Sequence, residues 1–127
     1  MENKISPFLM FDGQAKEAMD LYISLFSNSE IVSINYHENS EEKVQYAIFT
    51  LHGQQVMCID SSIKHDFSFT PASSLYIVCE TIEEIETLYK KLSKDGEILM
   101  KLDSYGFSTQ YAWLKDRFGV SWQLNFE

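Results

Sequence analysis

The sequence predicts an α+β protein built from two βαβββ modules, the pair forming an open half-barrel. Three observations carry that prediction. The order strand, helix, three strands occurs twice along the chain. Letters recur with the elements, each about 66 residues further on: Glu17-Ala-Met-Asp-Leu-Tyr22 returns as Glu84-Ile-Glu-Thr-Leu-Tyr89, Gln45-Tyr46-Ala47 as Gln110-Tyr111-Ala112, and Gly53 as Gly119. The composition is that of a folded protein, 45% apolar and 23% charged over 127 residues. A chain of that length buries enough surface to fold without a disulfide or a metal.

The elements follow in order. Ile5 to Phe11 is short and apolar, ends at Asp12-Gly13, and predicts a buried strand. Ala15, Ala18, Met19, Tyr22 and Phe26 recur at helical spacing between Lys16, Glu17 and Asp20, so Gln14 to Phe26 predicts an amphipathic helix stopped by Asn28 and Ser29. Glu30 to His37 alternates as a strand does. Residues 38 to 43 are polar and read as an exposed loop. Val44 to Leu51 and Gln54 to Asp60 read as antiparallel neighbours joined by a turn at His52-Gly53. These make the first module, residues 1–60.

Residues 61–72 have turn composition with Phe67 and Phe69 among them, which predicts a linker lying on something apolar. The second module, residues 73–127, opens with a strand from Ser74 to Cys79. Thr81 reads as an N-cap, with Glu83, Glu84 and Glu86 at the helix start and Lys90, Lys91 and Lys94 at its end, matching the helix dipole. Ile82, Ile85, Leu88, Tyr89 and Leu92 form its apolar stripe, and Asp95-Gly96 ends it. Strands at Glu97 to Leu102, Ser108 to Lys115 and Val120 to Phe126 complete the module, with a turn at residues 116–119 in which Asp116 acts as the cap. Each helix covers one face of its sheet, and the other face is left for a ligand in the hollow of the half-barrel.

The formal net charge of −9 disfavours nucleic acid and anionic membrane as partners, since both need a basic face. No apolar run approaches the length of a membrane span, and the N-terminus lacks the cationic and apolar blocks of a signal peptide. The expected compartment is the cytoplasm. Cys58 and Cys79 stand apart within apolar runs and read as buried thiols.

On the strand ending at Phe126, Val120, Trp122, Leu124 and Phe126 are expected toward the helix, and Ser121, Gln123 and Asn125 toward the hollow. Gln123 is a candidate ligand-binding amide. Ser74 starts the second module's first strand. Tyr76 and Trp113 are candidate aromatic walls, and Met57 a candidate floor. His65 and Asp60 flank the linker as candidate ligand contacts or general bases. His37 and His52, at hairpin ends, are expected to be solvated.

The duplicated pattern resembles the vicinal oxygen chelate superfamily of glyoxalase I, extradiol dioxygenases and bleomycin-resistance proteins. Ala112-Trp-Leu-Lys-Asp-Arg-Phe-Gly-Val-Ser-Trp-Gln123, with Phe26-Ser-Asn-Ser29 and Phe67-Ser-Phe-Thr70, is similar to its PhnB-like branch, named for 3-demethylubiquinone 3-methyltransferase. The resemblance implies the glyoxalase/bleomycin-resistance fold, homodimerisation, and a small-molecule ligand. In metal-dependent members His, Glu or Gln ligands stand at four corners, which fall here on Ser6 or Pro7, Met57, Ser74 and Gln123. That set predicts no tightly held metal. A Gly-rich loop on a doubly wound sheet, where a methyltransferase would hold S-adenosylmethionine, is missing from the sequence, so no cofactor is expected. The functional expectation is a small-molecule-binding protein. The alternatives are a metal-dependent lyase or dioxygenase, a metal-free enzyme using His65 or Asp60 as base, and an accessory interaction domain.

Overall fold

The computed structural model describes residues 4–127. In chain order they form β1 (Phe8–Phe11), α1 (Ala15–Leu25), β2 (Glu30–Tyr36), β3 (Val44–Leu51), β4 (Gln54–Asp60), β5 (Ser74–Val78), α2 (Ile82–Ser93), β6 (Glu97–Tyr105), β7 (Ser108–Lys115) and β8 (Ser121–Phe126). The chain divides into two compact units, Met1–Asp66 and Phe67–Glu127. Each is a βαβββ module with a four-stranded mixed sheet. The strand order is β1-β4-β3-β2 in the first and β5-β8-β7-β6 in the second, so both have the same topology. In each, the first strand runs parallel to the last and the remaining pairs are antiparallel.

In the first module one side of the sheet packs on α1. Leu9, Phe11, Ala47, Phe49, Leu51, Val56 and Cys58 are buried with Ala18, Met19 and Tyr22 of the helix. The hairpin between β3 and β4 turns on His52 at φ 50 and Gly53 at φ 79. Two successive left-handed residues suit the twist of a tight hairpin. In the second module Ala112, Leu114, Trp122 and Leu124 lie buried with Ile85, Leu88 and Leu92 of α2. Thr81 caps α2 as expected, its hydroxyl accepting from Glu84 N at 3.0 Å, while Glu84 Oε1 accepts from Glu80 N at 2.8 Å. These local bonds satisfy donors that a helix start leaves open.

α1 is held differently. Gln14 stands at its N-cap but makes no side-chain cap bond. Asp60, at the far end of β4, does the work: its Oδ1 accepts from Gly13 N at 2.8 Å and Ala15 N at 3.0 Å, and its Oδ2 from Val44 N at 2.9 Å. The carboxylate is buried, with three backbone N–H groups in place of water.

Several expectations need correction. β1 begins at Phe8 rather than Ile5, because Pro7 has no N–H for the ladder, although its carbonyl accepts from Met57 N at 2.9 Å. β6 runs on to Tyr105 instead of ending at Leu102, because its pairing with β7 continues through register shifts. β5 stops at Val78, one residue short of the expected end, and β8 starts at Ser121. Ile82, placed in the α2 stripe, is exposed, whereas Ile85, Leu88 and Leu92 are buried. His37 is only partly exposed: its Nε2 lies 2.8 Å from Asp60 O, a carbonyl that can only accept, so that nitrogen carries a proton. In the linker, Phe69 packs over Gly119, while Phe67 is exposed.

Candidate functional site

The sheet registers superimpose the modules residue on residue. Ala47 pairs with Cys58, and its repeat Ala112 pairs with Leu124. One step along, Ile48 pairs with Met57 and Met57 with Phe8, while Trp113 pairs with Gln123 and Gln123 with Tyr76. Phe8–Met57–Ile48 and Tyr76–Gln123–Trp113 are therefore the same row in two copies of one module. Both rows lie on the sheet face away from the helix, because the alternate residues are those packed on it. The row is apolar in the first module and polar and aromatic in the second.

The second row brings three of the expected site residues together: Tyr76, Gln123 and Trp113. Ser74 is one step removed, paired with Ser121 rather than with Gln123. It joins the row through hydrogen bonds. Trp113 Nε1 donates to Ser121 Oγ at 2.9 Å, and Ser121 Oγ lies 2.6 Å from Ser74 Oγ. Ser121 is buried and Gln123 partly exposed. Tyr111 hydroxyl donates to Gln123 Oε1 at 2.6 Å. Its ring is packed edge-on by Tyr105 at 5.8 Å and Phe107 at 5.0 Å between centroids. Burial raises the Tyr111 phenol above its ordinary value, and the neighbouring phenols Tyr76 and Tyr105 add to that. Gln123 Nε2 has no hydrogen-bond partner among the described residues. A shallow hollow at the β6–β7 hairpin is lined by Tyr105, Phe107, Ser108 and Glu127 and includes none of Tyr76, Gln123 and Trp113.

Met57 occupies the corresponding position of the first sheet, between Phe8 and Ile48. Asp60 and His65 stand elsewhere. Both oxygens of Asp60 are taken up by the fold. In the linker His65 Nε2 lies 3.0 Å from Ser61 Oγ, which donates its own proton to Ile63 O at 2.7 Å, so the imidazole nitrogen is the donor between them. Tyr111 was absent from the sequence candidates, although the strand period of two from Trp113 puts it on the same face. Ser121 was on that face by the same argument, but its bond to the indole has no sequence signature.

The corner donors do not suit a divalent ion. Gln123 Oε1 already accepts from Tyr111, Ser74 shares a hydrogen bond with Ser121, Met57 offers a thioether, and Ser6 Oγ accepts from Gln55 Nε2 at 3.0 Å. A divalent ion is held best by anionic oxygens, or by imidazoles for borderline ions such as zinc. Among the described residues no three of His, Cys, Asp and Glu stand grouped as a metal site would require.

A family profile described as 3-demethylubiquinone-9 3-methyltransferase matches residues 3–125, nearly the whole chain. The chain belongs to this PhnB-like family. It is 55% identical to the PhnB protein from Bacillus cereus, which bears the same methyltransferase name, over 98% of this chain and 100% of that one, with a TM-score of 0.96. The similarity to protein PA1353 from Pseudomonas aeruginosa is 24% identity over 98% of each chain, at a TM-score of 0.83. FosX from Listeria monocytogenes, a fosfomycin resistance protein, shares 10% identity over 98% of this chain and 93% of its own, at a TM-score of 0.66, and so shares the fold alone. No curated protein sequence matches. The α+β class of two βαβββ modules is the glyoxalase/bleomycin-resistance fold. Each sheet is mixed and carries one helix, which differs from a doubly wound parallel sheet with a nucleotide crevice. No described helix is long and apolar enough to cross a membrane.

Proposed function

We propose that this PhnB-like chain binds a small organic molecule on the sheet face away from α2, against Tyr76, Gln123 and Trp113, without a tightly held catalytic metal. One observation carries the reading. A partly exposed amide with an unpartnered nitrogen sits in register between two aromatic side chains, on a face that the module's own helix does not use. Surfaces of that kind combine apolar contact with a few fixed polar groups, as ligand sites do. Met57 holds the equivalent row of the first module, where its thioether offers an adaptable apolar contact on that module's own sheet. We assign Ser74 a supporting role through Ser121, and His65 and Asp60 none in the chemistry of this face. Homodimerisation and a cytoplasmic location belong to the same proposal, the first supported by the family and the second by the composition.

The test is a thermal-shift and mass-spectrometric ligand screen on purified protein, with metal content measured in parallel. Ligands that raise the melting temperature of the wild type and not of Gln123→Leu support the reading. Stoichiometric zinc, nickel, manganese or iron would overturn its metal-free part and favour the lyase or dioxygenase alternative. Sedimentation as a monomer at micromolar concentration would remove the dimer.

A further inference from the structure

The geometry points to Tyr111 as a positioning residue that sets the polarity of the face: by drawing Gln123 Oε1 to its hydroxyl it turns the amide N–H₂ away from itself and without a partner, so the site favours ligands bearing an oxygen acceptor, such as a carbonyl or carboxylate, next to a flat apolar portion. The inference rests on the binding reading above and names its ligand class. A glutamine amide is ordinarily ambivalent, since rotation exchanges its donor and acceptor ends. Here the separation decides the orientation, since 2.6 Å is the length of an O–H···O bond and short for an N–H···O one. Tyr111 is buried, its ring is wedged by Tyr105 and Phe107, and its hydroxyl reaches the amide oxygen at 2.6 Å.

Beside the amide, Trp113 gives its N–H to Ser121 Oγ, and Ser121 Oγ shares one hydrogen bond with Ser74 Oγ in which either hydroxyl can donate. Ser74 Oγ also lies 3.5 Å from Pro71 O, the limit of a hydrogen bond. The indole N–H is thus used within the face, and the two N–H of Gln123 are its unpartnered amide donors. Lys115, register partner of Ser121, adds a cation paired only loosely with Glu97 at 3.6 Å. A ligand lacking an acceptor would leave the Gln123 N–H₂ unpaired against it, which costs affinity.

The test uses two neutral bicyclic probes of similar size, 1-indanone with a carbonyl acceptor and indole with an N–H donor. Binding is read from the assigned indole N–H resonance of Trp113 in the wild type, Tyr111→Phe, Gln123→Glu and Tyr89→Phe, and the Gln123 side-chain amide resonances are followed wherever that amide is present. Wild type is expected to prefer 1-indanone by about five-fold, the worth of one ordinary hydrogen bond. Tyr111→Phe should shift the Gln123 amide resonances before any probe is added and abolish the preference. Gln123→Glu, which presents acceptors only, should reverse it. Tyr89→Phe removes a hydroxyl on α2, on the opposite side of the sheet, and should leave the preference as in the wild type.

A preference that survives Tyr111→Phe, an unmoved Gln123 amide in that variant, or a loss of preference in Tyr89→Phe would overturn the role of Tyr111. Both probes binding the wild type equally would overturn the polarity while leaving the site itself standing. Failure of either probe to reach Gln123 in every variant would overturn the site and this inference together.

Discussion

Trp122 Nε1 donates to Asp116 Oδ2 at 2.9 Å, and both side chains are buried. The same carboxylate accepts from Phe118 N at 2.9 Å and Val120 N at 3.0 Å through its other oxygen. One side chain thus ties the β7–β8 turn to the largest ring of the second core. Asp116→Asn keeps an acceptor for the turn but turns an N–H₂ toward the indole N–H, and should destabilise by about 2 kcal/mol. Trp122→Phe removes that indole donor, so its cost should be smaller in the Asp116→Asn background than in the wild type. Urea unfolding of the two singles and the double reads the coupling. Strictly additive costs would show that the bond contributes nothing.

Asp60→Ala should be among the most damaging single substitutions in the first module. It strips partners from three backbone N–H groups, two of them at the start of α1, and should cost about 3 kcal/mol or more. Chemical denaturation checks the magnitude. Loss of less than 1 kcal/mol, on the order of one exposed cap, would mean that water replaces the carboxylate. Thr81→Ala, at the cap of α2, should cost only about 1 kcal/mol, because its bond is exposed and local.

Two glycines should separate cleanly under alanine substitution. A Cβ on Gly96 would stand 2.1 Å from Lys115 O and 2.9 Å from Asp116 C, both backbone atoms that cannot swing aside. Gly13 has φ +91 but open space around its Cβ position. Gly13→Ala then carries only conformational strain of about 1–2 kcal/mol, whereas Gly96→Ala must push β7 away from the α2–β6 turn and should cost more. Thermal melts of the two variants decide the order, and equal losses would contradict the clash.

The thiols predict a pH dependence. Burial pushes both Cys58 and Cys79 from 9.0 up to about 12, with the charges of Asp60 and Glu84 adding respectively. The native state therefore holds these protons more tightly than the unfolded chain does. Stability from this source is complete below pH 9 and falls as pH rises toward 12, by up to about 1.4 kcal/mol per pH unit for each thiol. Unfolding free energies measured from pH 8 upward should fall more steeply in the wild type than in Cys58→Ala. In the native state neither thiol should react with iodoacetamide at pH 8, and rapid labelling would show that a thiol is reachable.

The chain's own letters determined the module, its repetition and the faces of its strands. Period-two and period-3.6 patterns are local, and burial of a whole stripe outweighs any one residue's preference. The α2 cap was readable for the same reason, since Thr81, Glu83 and Glu84 lie within one helical turn of each other. Tertiary structure alone decided how α1 is capped, because Asp60 lies 45 residues from Ala15 and reaches it only through the parallel pairing of β1 with β4. It also decided the pairing of Tyr111 with Gln123: strand alternation puts both on one face, but only the β7–β8 register brings the phenol within hydrogen-bonding distance of the amide. Directional bonds between distant residues depend on register, and register is a property of the assembled sheet.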